Sequence, residues 1–325
     1  MSRDAADLSE RFRGCLLGVA AGDALGAPFE GLSQVDADAV ARWVASPAPL
    51  RWTDDTHMTL GVARSLLDCK GVDGPRLAAE LARTHDAEPW RGYGAGPPQV
   101  FAALAQGAAW DAPAAQLFGG GGSFGNGAAM RVAPVGLVAH RAPDTLAAWA
   151  RTSARVTHAH ELGQQAAVLQ AAAVGWLVTA EPAGRDPAGV LDHLGTLAPD
   201  GVFRERLDRV AGLTSSASMR TVVAELGNGI TGLEAVPAAL HAFLRQPRSL
   251  PDAVTYAVRL GGDTDTIASM TGALAGAFLG EAAVPPAWRD RLEAADELVR
   301  LADALARLAR SWSAAPRGDR GAREG

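Results

Sequence analysis

The sequence predicts an all-α fold that forms a single domain. Apolar residues recur at helical spacing along most of the 325-residue chain, whereas the alternation typical of strands is almost absent. Two tyrosines and scattered valines also provide little material for a sheet. The stretches 181–187, with Pro and Gly, and 246–251, with two Pro, are both short enough to be loops between packed helices rather than domain linkers.

The helices can be placed in order along the chain. The pattern Asp7-Leu-Ser-Glu10 resembles a capping box and opens a helix that continues towards Leu25. Residues 314–325 lack apolar content, so we expect a disordered tail after a domain of residues 1–313. Apolar periodicity predicts the remaining helices at 56–67, 76–84, 98–105, 145–156, 161–179, 203–213, 219–226, 233–244, 250–259, 264–279 and 288–309.

Glycine recurs every fourth residue in two of these helices. Each glycine costs a helix about 0.8–1 kcal/mol relative to alanine. Close contact between the two helices would offset that cost, although the chain's 37 glycines could also produce the spacing by composition alone. The glycines are Gly14, Gly18, Gly22 and Gly26 in the first helix, and Gly272, Gly276 and Gly280 in and after the helix at 264–279.

Composition and charge exclude several classes of protein. With 30 basic and 36 acidic residues the net charge is −6 and no basic patch stands out, so strong nucleic-acid binding is not expected. The longest apolar stretch, 166–180, falls short of the roughly 20 residues of a membrane helix. Cys15 and Cys69 are too few for a disulfide framework, and the N-terminus lacks the apolar run of a signal peptide. We expect a cytoplasmic monomer with buried free thiols.

Two acidic segments far apart in the sequence carry the strongest functional signal. The first acidic segment is Thr-Asp-Asp-Thr at 53–56, and the second is Gly-Gly-Asp-Thr-Asp-Thr at 261–266. Each precedes a strongly apolar helix, so either segment by itself could simply cap that helix. Together they offer four carboxylates and several hydroxyls, which are hard oxygen ligands suited to Mg²⁺ or Mn²⁺. If the two helix starts meet in space, they would hold a two-metal site.

A glycine-rich stretch at 119–127 is the second candidate site. Its sequence, GGGGSFGNG, would free backbone N–H groups to face an anion such as a diphosphate, although a flexible surface loop would look similar. It lacks the Lys-Ser/Thr ending of a P-loop and follows no strand, which excludes P-loop NTPases and Rossmann sites. A helical segment beginning at Ala128 follows, so the loop could lie at a helix N-terminus.

Other polar residues are ambiguous when each is considered by itself. Asp23 and Glu30 flank the end of the first helix, where an acid is more often a solvated surface group. His158 and His160 could be helix-cap or surface residues, because their i, i+2 spacing does not indicate a metal site.

Six segments together resemble the ADP-ribosylglycohydrolases, also called ADP-ribosyl-acceptor hydrolases. They follow the family's order over nearly the whole chain, which is far more specific than one motif. The resemblance implies an orthogonal all-α bundle with a two-magnesium centre. The segments are FRGCLLGVAAGDALGAPFE (12–30), WTDDTHM (52–58), RGYGAGPPQVF (91–101), SFGNGAAMRVAPVGL (123–137), THAHELGQQAAVLQA (157–171) and LGGDTDTIASMTGALAGAFLG (260–280).

The resemblance also implies roles for individual residues. Glu30 falls where the subgroup active on serine-linked ADP-ribose and poly(ADP-ribose) has its catalytic glutamate, and RGYGAG at 91–96 is similar to that subgroup. The implied ligands of two Mg²⁺ ions, with Mn²⁺ as a substitute, are Thr53, Asp54, Asp55, Asp263, Asp265 and Thr266. The implied substrate-binding residues are Phe118, Gly122, Ser123, Phe124, Gly125, Asn126 and His158. The chain departs from its relatives at Phe124, where tyrosine is common, and at His57, where smaller residues are frequent.

The expected function is Mg²⁺-dependent hydrolysis of the bond between ADP-ribose and an acceptor, with Glu30 as general acid or base. The resemblance favours O-linked substrates, namely serine-linked ADP-ribose, poly(ADP-ribose) or O-acetyl-ADP-ribose, and the expected partners are ADP-ribose and ADP-ribosylated proteins or polymer. Three alternatives remain open. One is an inactive ADP-ribose-binding or crystallin-like structural member. The others are an arginine-linked ADP-ribose hydrolase and a two-metal phosphoesterase that cleaves the diphosphate.

Overall fold

The computed structural model describes residues 3–180, 186–198, 200–213 and 216–314. The regular secondary-structure elements of these described residues are all helices, and the predicted all-α class is confirmed. The α-helices are α1 (Arg3–Gly26), α2 (Ala37–Ala45), α3 (Asp54–Cys69), α4 (Gly74–Ala87), α5 (Gly96–Ala105), α6 (Ala112–Gly120), α7 (Gly127–Met130), α8 (Ala133–Val138), α9 (Pro143–Arg155), α10 (Glu161–Leu177), α11 (Gly189–Leu197), α12 (Gly201–Gly212), α13 (Met219–Leu226), α14 (Gly232–Arg245), α15 (Leu250–Arg259), α16 (Thr264–Leu279), α17 (Pro286–Arg289) and α18 (Ala295–Ala314).

The predicted contact between the two glycine-bearing helices is confirmed and is longer than a single crossing. Helices α1 and α16 run antiparallel with their backbones touching. A Cβ added at Gly18 would lie 2.1 Å from the carbonyl oxygen of Gly272, and one at Gly22 would lie 2.1 Å from that of Ala268. Because the helices run in opposite directions, the end of α1 and the start of α16 lie at the same end of the pair.

Helix α16 lies at the centre of the core. All residues of α16 except the last are buried, and most of α3 and α10 are buried as well. A helix that is apolar on every side is stable only when other helices surround it. The central position of α16 therefore fixes its first turn, which contains residues 264–266 of the second acidic segment, against the helices around it.

The sequence interpretation missed α2, α6, α8 and α11, and it wrongly joined α17 and α18 into one helix at 288–309. The chain leaves the helix between them because its backbone pairs with Leu50 instead. The Leu50 amide donates to Arg291 (2.9 Å), and the Glu293 amide donates to the Leu50 carbonyl (3.0 Å). Ala294 then adopts a positive φ of 56° before α18 begins.

One predicted loop is confirmed, and the described residues reach only the first residue of the predicted tail. A short loop joins α14 to α15, as predicted at 246–251. Residues 181–185 of the other predicted loop lie outside the described residues. Helix α18 ends at Ala314, and the rest of the predicted tail is not described. Both thiols are free, and the expected burial is confirmed for Cys15 but wrong for Cys69, which is only partly buried. In the described ranges, none of the helices has the length and apolarity that a bilayer crossing requires.

Candidate active site

The structure brings the two acidic segments together at one end of the α1–α16 pair. The hydroxyl of Thr266 donates to Oδ1 of Asp55 (3.3 Å), which joins the start of α16 to the start of α3. Carboxylate oxygens of Glu30, Asp263 and Asp265 lie within 4.8 Å of one another. Glu30, four residues after the end of α1, thus joins the acidic residues at the starts of α3 and α16 in one cluster.

A carboxylate from α1 fixes the first acidic segment. Asp23 is fully buried and accepts hydrogen bonds from the hydroxyls of Thr53 (2.8 Å) and Thr56 (2.6 Å). It also accepts from the backbone amides of both threonines, at 2.9–3.0 Å. Burial raises the pKa of Asp23, and these hydrogen bonds oppose the rise. Asp23 therefore takes the place of the N-cap that the helix itself does not provide, and it leaves Asp54 and Asp55 free of that role.

Neutral groups hold the second acidic segment. The side-chain amide of Asn126 donates to Oδ2 of Asp263 (2.6 Å). The backbone of Gly262 exchanges two hydrogen bonds of 2.8 Å with the loop after Glu30, one with the Gly31 amide and one with the Leu32 carbonyl. Gly262 has a φ of +73°, which glycine adopts without the strain that a side chain would cause. This pairing carries Glu30 to the acidic cluster.

Helix capping does not account for the two acidic segments. The N-cap residue of α3 is Thr53 and that of α16 is Asp263, and neither side chain makes a capping hydrogen bond. Burial is the largest cause of elevated pKa values in the cluster, and neighbouring carboxylates add to it. The pKa of Asp54 rises to about 8 and that of Asp265 to about 9, while that of Asp55 rises well above its ordinary value.

The donor set fits divalent cations. Oδ2 of Asp55 is buried and has no hydrogen-bond partner in the described part of the chain, which is costly for a polar atom unless a cation or proton meets it. Carboxylates and hydroxyls are the oxygen ligands that Mg²⁺ and Mn²⁺ prefer. The residues that could hold such ions are Asp54, Asp55, Asp263, Asp265 and Thr266, with Thr53 beside them.

A cleft of about 320 Å³ opens onto this cluster. It contains most of the residues predicted from the sequence. Of the others, the hydroxyl of Thr53 faces Asp23, the amide of Gly122 donates to Leu117 (3.0 Å), and Phe124 lies on the surface beside His160. The predicted site residues that line the cleft are Glu30, Asp54, Asp55, Phe118, Ser123, Gly125, Asn126, His158, Asp263, Asp265 and Thr266.

The glycine loop forms one wall of the cleft. Gly122 has a φ of +70°, and a Cβ there would lie 2.7 Å from the His160 amide nitrogen, so only glycine fits. Phe118 also has a positive φ of 53°, which is uncommon for an aromatic residue, and its side chain is 68% exposed at the cleft. The short helix α7 begins directly after the loop, as the sequence predicted.

Residues 227–232 join the glycine loop to the second acidic segment, and the sequence interpretation missed them. The Ile230 carbonyl accepts from the Asn126 amide (2.9 Å), and the Asn228 carbonyl accepts from the Asp263 amide (2.8 Å). The side chain of Ile230 is 70% exposed and lines the cleft. The glycines on both sides of Asn228 were the available signal, because they indicate a tight turn.

The 91–96 loop, which the resemblance singled out, lines another side of the cleft. Arg91 fixes it by a two-pronged ion pair with Glu293 (2.7 and 2.9 Å) and by stacking 3.8 Å above the ring of Trp52. His57 lies outside the cleft lining, among the described residues, with Nδ1 2.9 Å from the Tyr93 hydroxyl. Burial lowers the pKa of His57 to about 4. His57 therefore supports the 91–96 loop through Tyr93 and does not itself line the cleft.

Comparisons with known proteins agree with this geometry. The profile of the ADP-ribosylglycohydrolase family matches residues 4–315. ADP-ribosylhydrolase ARH3 of Homo sapiens is 37% identical over 339 aligned positions, covering 92% of this chain and 93% of that protein. An uncharacterized protein of Archaeoglobus fulgidus is 32% identical, covering 93% and 97%.

The fold comparison leads to the same result. A solved structure of an ADP-ribosylglycohydrolase-related protein complex matches with a TM-score of 0.69 and 28% identity, covering 94% of this chain and 99% of that one. The profile match extends over almost the whole chain and includes every element that lines the acidic cleft. Given these matches in sequence and fold, the chain belongs to the ADP-ribosylglycohydrolase family and is a glycosyl hydrolase that resembles its ARH3 relatives.

Proposed function

We propose that this enzyme is a magnesium-dependent hydrolase that releases ADP-ribose from an O-linked acceptor. The cleft carries the proposal, because it combines a partly exposed glutamate, an acidic cluster suited to divalent cations and a glycine-rich wall suited to phosphates. The relatives named ADP-ribosylhydrolase support the choice of ADP-ribose. Serine-linked ADP-ribose, poly(ADP-ribose) and O-acetyl-ADP-ribose are the O-linked substrates that we propose.

The two acidic segments would hold two Mg²⁺ ions, with Mn²⁺ as a substitute. Bound there, the ions would supply Lewis-acid polarisation and a template for the ribose hydroxyls and a water molecule. The chain contributes the rigid frame. Asp23 holds the first acidic segment, and Asn126 and the backbone of Gly262 hold the second, so the oxygen atoms keep their positions before substrate arrives.

Glu30 is the residue that we assign to proton transfer. Cleavage of a glycosidic bond passes through an oxocarbenium-like transition state, and the departing oxygen needs a proton. Burial and the nearby Asp263 raise the pKa of Glu30, so its carboxyl group holds a proton more readily than a solvated glutamate. The Gly31–Gly262 hydrogen bond keeps this carboxyl group beside the acidic cluster.

The glycine loop and its neighbours would bind the rest of ADP-ribose. Ser123, Gly125 and Asn126 face the cleft from the loop, where backbone amides suit a diphosphate. The exposed ring of Phe118 offers a surface on which adenine can stack. Binding energy from these remote parts would place the scissile bond against Glu30. The monomeric state and the cytoplasmic location are predictions from the sequence alone.

The decisive experiment is an assay of defined ADP-ribosylated substrates with Mg²⁺, in which the released products are separated by chromatography. We expect free ADP-ribose from serine-linked, polymeric or O-acetyl substrates. Release of ADP-ribose from the arginine-linked substrate alone would indicate that the enzyme hydrolyses N-linked rather than O-linked ADP-ribose. AMP and ribose 5-phosphate would indicate cleavage of the diphosphate, and binding of ADP-ribose without turnover of any substrate would indicate an inactive member.

A substitution tests the role of Glu30 separately from binding. Glu30→Gln should lower turnover by at least about 10²-fold, the lower end of a general acid–base contribution, and leave ADP-ribose affinity within a few-fold of wild type. Glu205→Gln, at an exposed position on α12, is the matched control and should leave both quantities unchanged. Undiminished turnover in Glu30→Gln would remove Glu30 from the mechanism.

A further inference from the structure

Behind the glycine loop lies a buried arginine that the proposed reaction does not yet use. Arg131 follows α7 directly and is fully buried. Its Nη1 donates to the hydroxyl of Thr157 (2.7 Å), and its Nη2 donates to the Ser153 carbonyl (2.7 Å). Both acceptors are neutral, so among the described residues no carboxylate bonds to this guanidinium to offset the cost of burying its charge. Burial lowers the pKa of Arg131 to about 10, which still leaves it charged at neutral pH.

The hydroxyl of Thr157 connects this arginine to the cleft. Its oxygen lies 2.7 Å from Nη1 of Arg131 and 2.8 Å from Nδ1 of His158. A guanidinium can only donate, so the oxygen accepts from Arg131. Thr157 is 1% exposed, and within the described ranges Nδ1 of His158 is the acceptor that its hydroxyl proton can reach. The arrangement that pairs the buried hydroxyl proton of Thr157 therefore has Thr157 donating to Nδ1.

This direction of hydrogen bonding fixes the proton on the histidine. An imidazole nitrogen that accepts a hydrogen bond carries no proton, so neutral His158 carries its proton on Nε2. Burial, and then the charge of Arg131, lowers the pKa of His158 to about 3, so the ring remains neutral. Positions for a Cβ at Gly125 and Gly127 lie 3.3 and 3.1 Å from Nε2, which places the N–H edge against the glycine loop.

We propose that Arg131 is a positioning residue that acts through Thr157 to hold His158 as a neutral Nε2–H donor facing the anion-binding wall of the cleft. The proposal deepens the proposed function and rests on it for the identity of the anion, the diphosphate of ADP-ribose. A donor that is already oriented needs no reorganisation when a phosphate oxygen arrives. The other tautomer would turn a lone pair towards that oxygen and repel it.

The protonation state of His158 can be measured in the free protein. NMR of protein labelled with ¹⁵N-histidine separates the two ring nitrogens, and His158→Asn identifies the correct signal among the seven histidines. We expect Nδ1 unprotonated and Nε2 protonated. Thr157→Ser should keep this pattern because it keeps the hydroxyl, whereas Thr157→Val should shift the Nδ1 resonance towards a mixture of tautomers. A wild-type proton on Nδ1 would overturn the proposal.

Binding of ADP-ribose gives the functional readout. A mixture of tautomers lowers the fraction of the protein that presents the Nε2–H donor. We therefore expect the ADP-ribose affinity of Thr157→Val to fall by the factor by which NMR shows that fraction to fall, and the affinity of Thr157→Ser to recover. Arg131→Met should behave like Thr157→Val, and thermal unfolding shows whether this variant is folded. If Arg131→Met does not fold, the two Thr157 variants still decide the matter.

The two readouts separate the possible failures. Weaker binding in Thr157→Val with an unchanged Nδ1 resonance would mean that Thr157 acts only as a packing residue, which overturns the relay. If every variant shows the expected tautomer but even the wild type does not bind ADP-ribose, the relay stands and the proposed function fails. Inorganic pyrophosphate as a second probe then tests whether the wall binds the anion alone.

Discussion

The two acidic segments look alike in sequence, but the protein holds them in different ways. The first is fixed by a buried carboxylate, Asp23, which accepts from the hydroxyls and amides of two threonines. The second is fixed by the neutral amide of Asn126 and by backbone hydrogen bonds to two loops. The support of the first segment therefore brings one more carboxylate, that of Asp23, to the cluster. The support of the second segment instead links the cluster to the glycine loop through Asn126.

The largest expected effect is loss of either half of the cluster. Asp55→Ala and Asp265→Ala should each lower Mg²⁺-dependent release of ADP-ribose by more than about 100-fold, beyond the range for residues that only support a ligand. Calorimetric titration with Mg²⁺ or Mn²⁺ should show a parallel loss of binding. Asp208→Ala, at an exposed position on α12, is the control. Retention of activity in either variant would mean that one segment is sufficient.

Removal of the charge that holds the first segment should have the next largest effect. Asp23→Asn presents an amide to donors that need acceptors, so we expect metal affinity to fall by about 10–100-fold and stability by about 1–3 kcal/mol. Asp36→Asn at the exposed start of α2 is the matched control, because asparagine caps a helix as well as aspartate does. Wild-type metal affinity in Asp23→Asn would contradict the positioning role.

The link between the second segment and the substrate wall can be tested at Asn126. Asn126→Ala removes the partner of Asp263, so metal affinity and ADP-ribose affinity should both fall, each by about tenfold. Ser123 lies in the same loop, but its hydroxyl accepts from the Gly125 amide (3.2 Å) and does not donate to Asp263 as Asn126 does. Ser123→Ala should therefore weaken ADP-ribose binding alone. Equal metal affinities in these two variants would show that the halves are not coupled through Asn126.

The smallest effect is a dependence of stability on pH. The pKa values of Asp54 and Asp265, about 8 and 9, lie above those of the unfolded chain, so folding favours their protonated forms. Their contribution to stability is complete below about pH 4 and disappears as the pH rises through about 8–9. The Tm in EDTA should therefore fall over this range. Mg²⁺ replaces the protons and should flatten the decline, and identical slopes with and without Mg²⁺ would argue against a cation at these carboxylates.

The sequence predicted the parts of the site that local patterns encode. Acids before apolar helices indicated both segments, and the glycine spacing in α1 and α16 indicated the contact that brings them together. The role of Asp23 depends on how α1 packs on α3, so a lone acid near a helix end gave no signal. The sequence interpretation also missed residues 227–232, because they contact the site through backbone hydrogen bonds to loops that are distant in the sequence.

The errors in the fold also have tertiary causes. The apolar pattern at 288–309 continues across the break between α17 and α18, and only the pairing with Leu50 interrupts the helix. Short helices such as α8 contain too few turns for periodicity to identify them. The positive φ of Phe118 is likewise set by its surroundings, since nothing in the sequence around a phenylalanine predicts it.

The glycine seam between α1 and α16 limits how this enzyme can diversify. Alanine is the mildest replacement for most residues, yet a methyl group at Gly18 or Gly272 would collide with the opposite main chain. A saturation mutagenesis map should therefore show two rows of intolerant positions buried in the core, spaced one helical turn apart. New substrate preferences would have to arise in the loops that line the cleft, where variation leaves the distance between the two acidic segments unchanged.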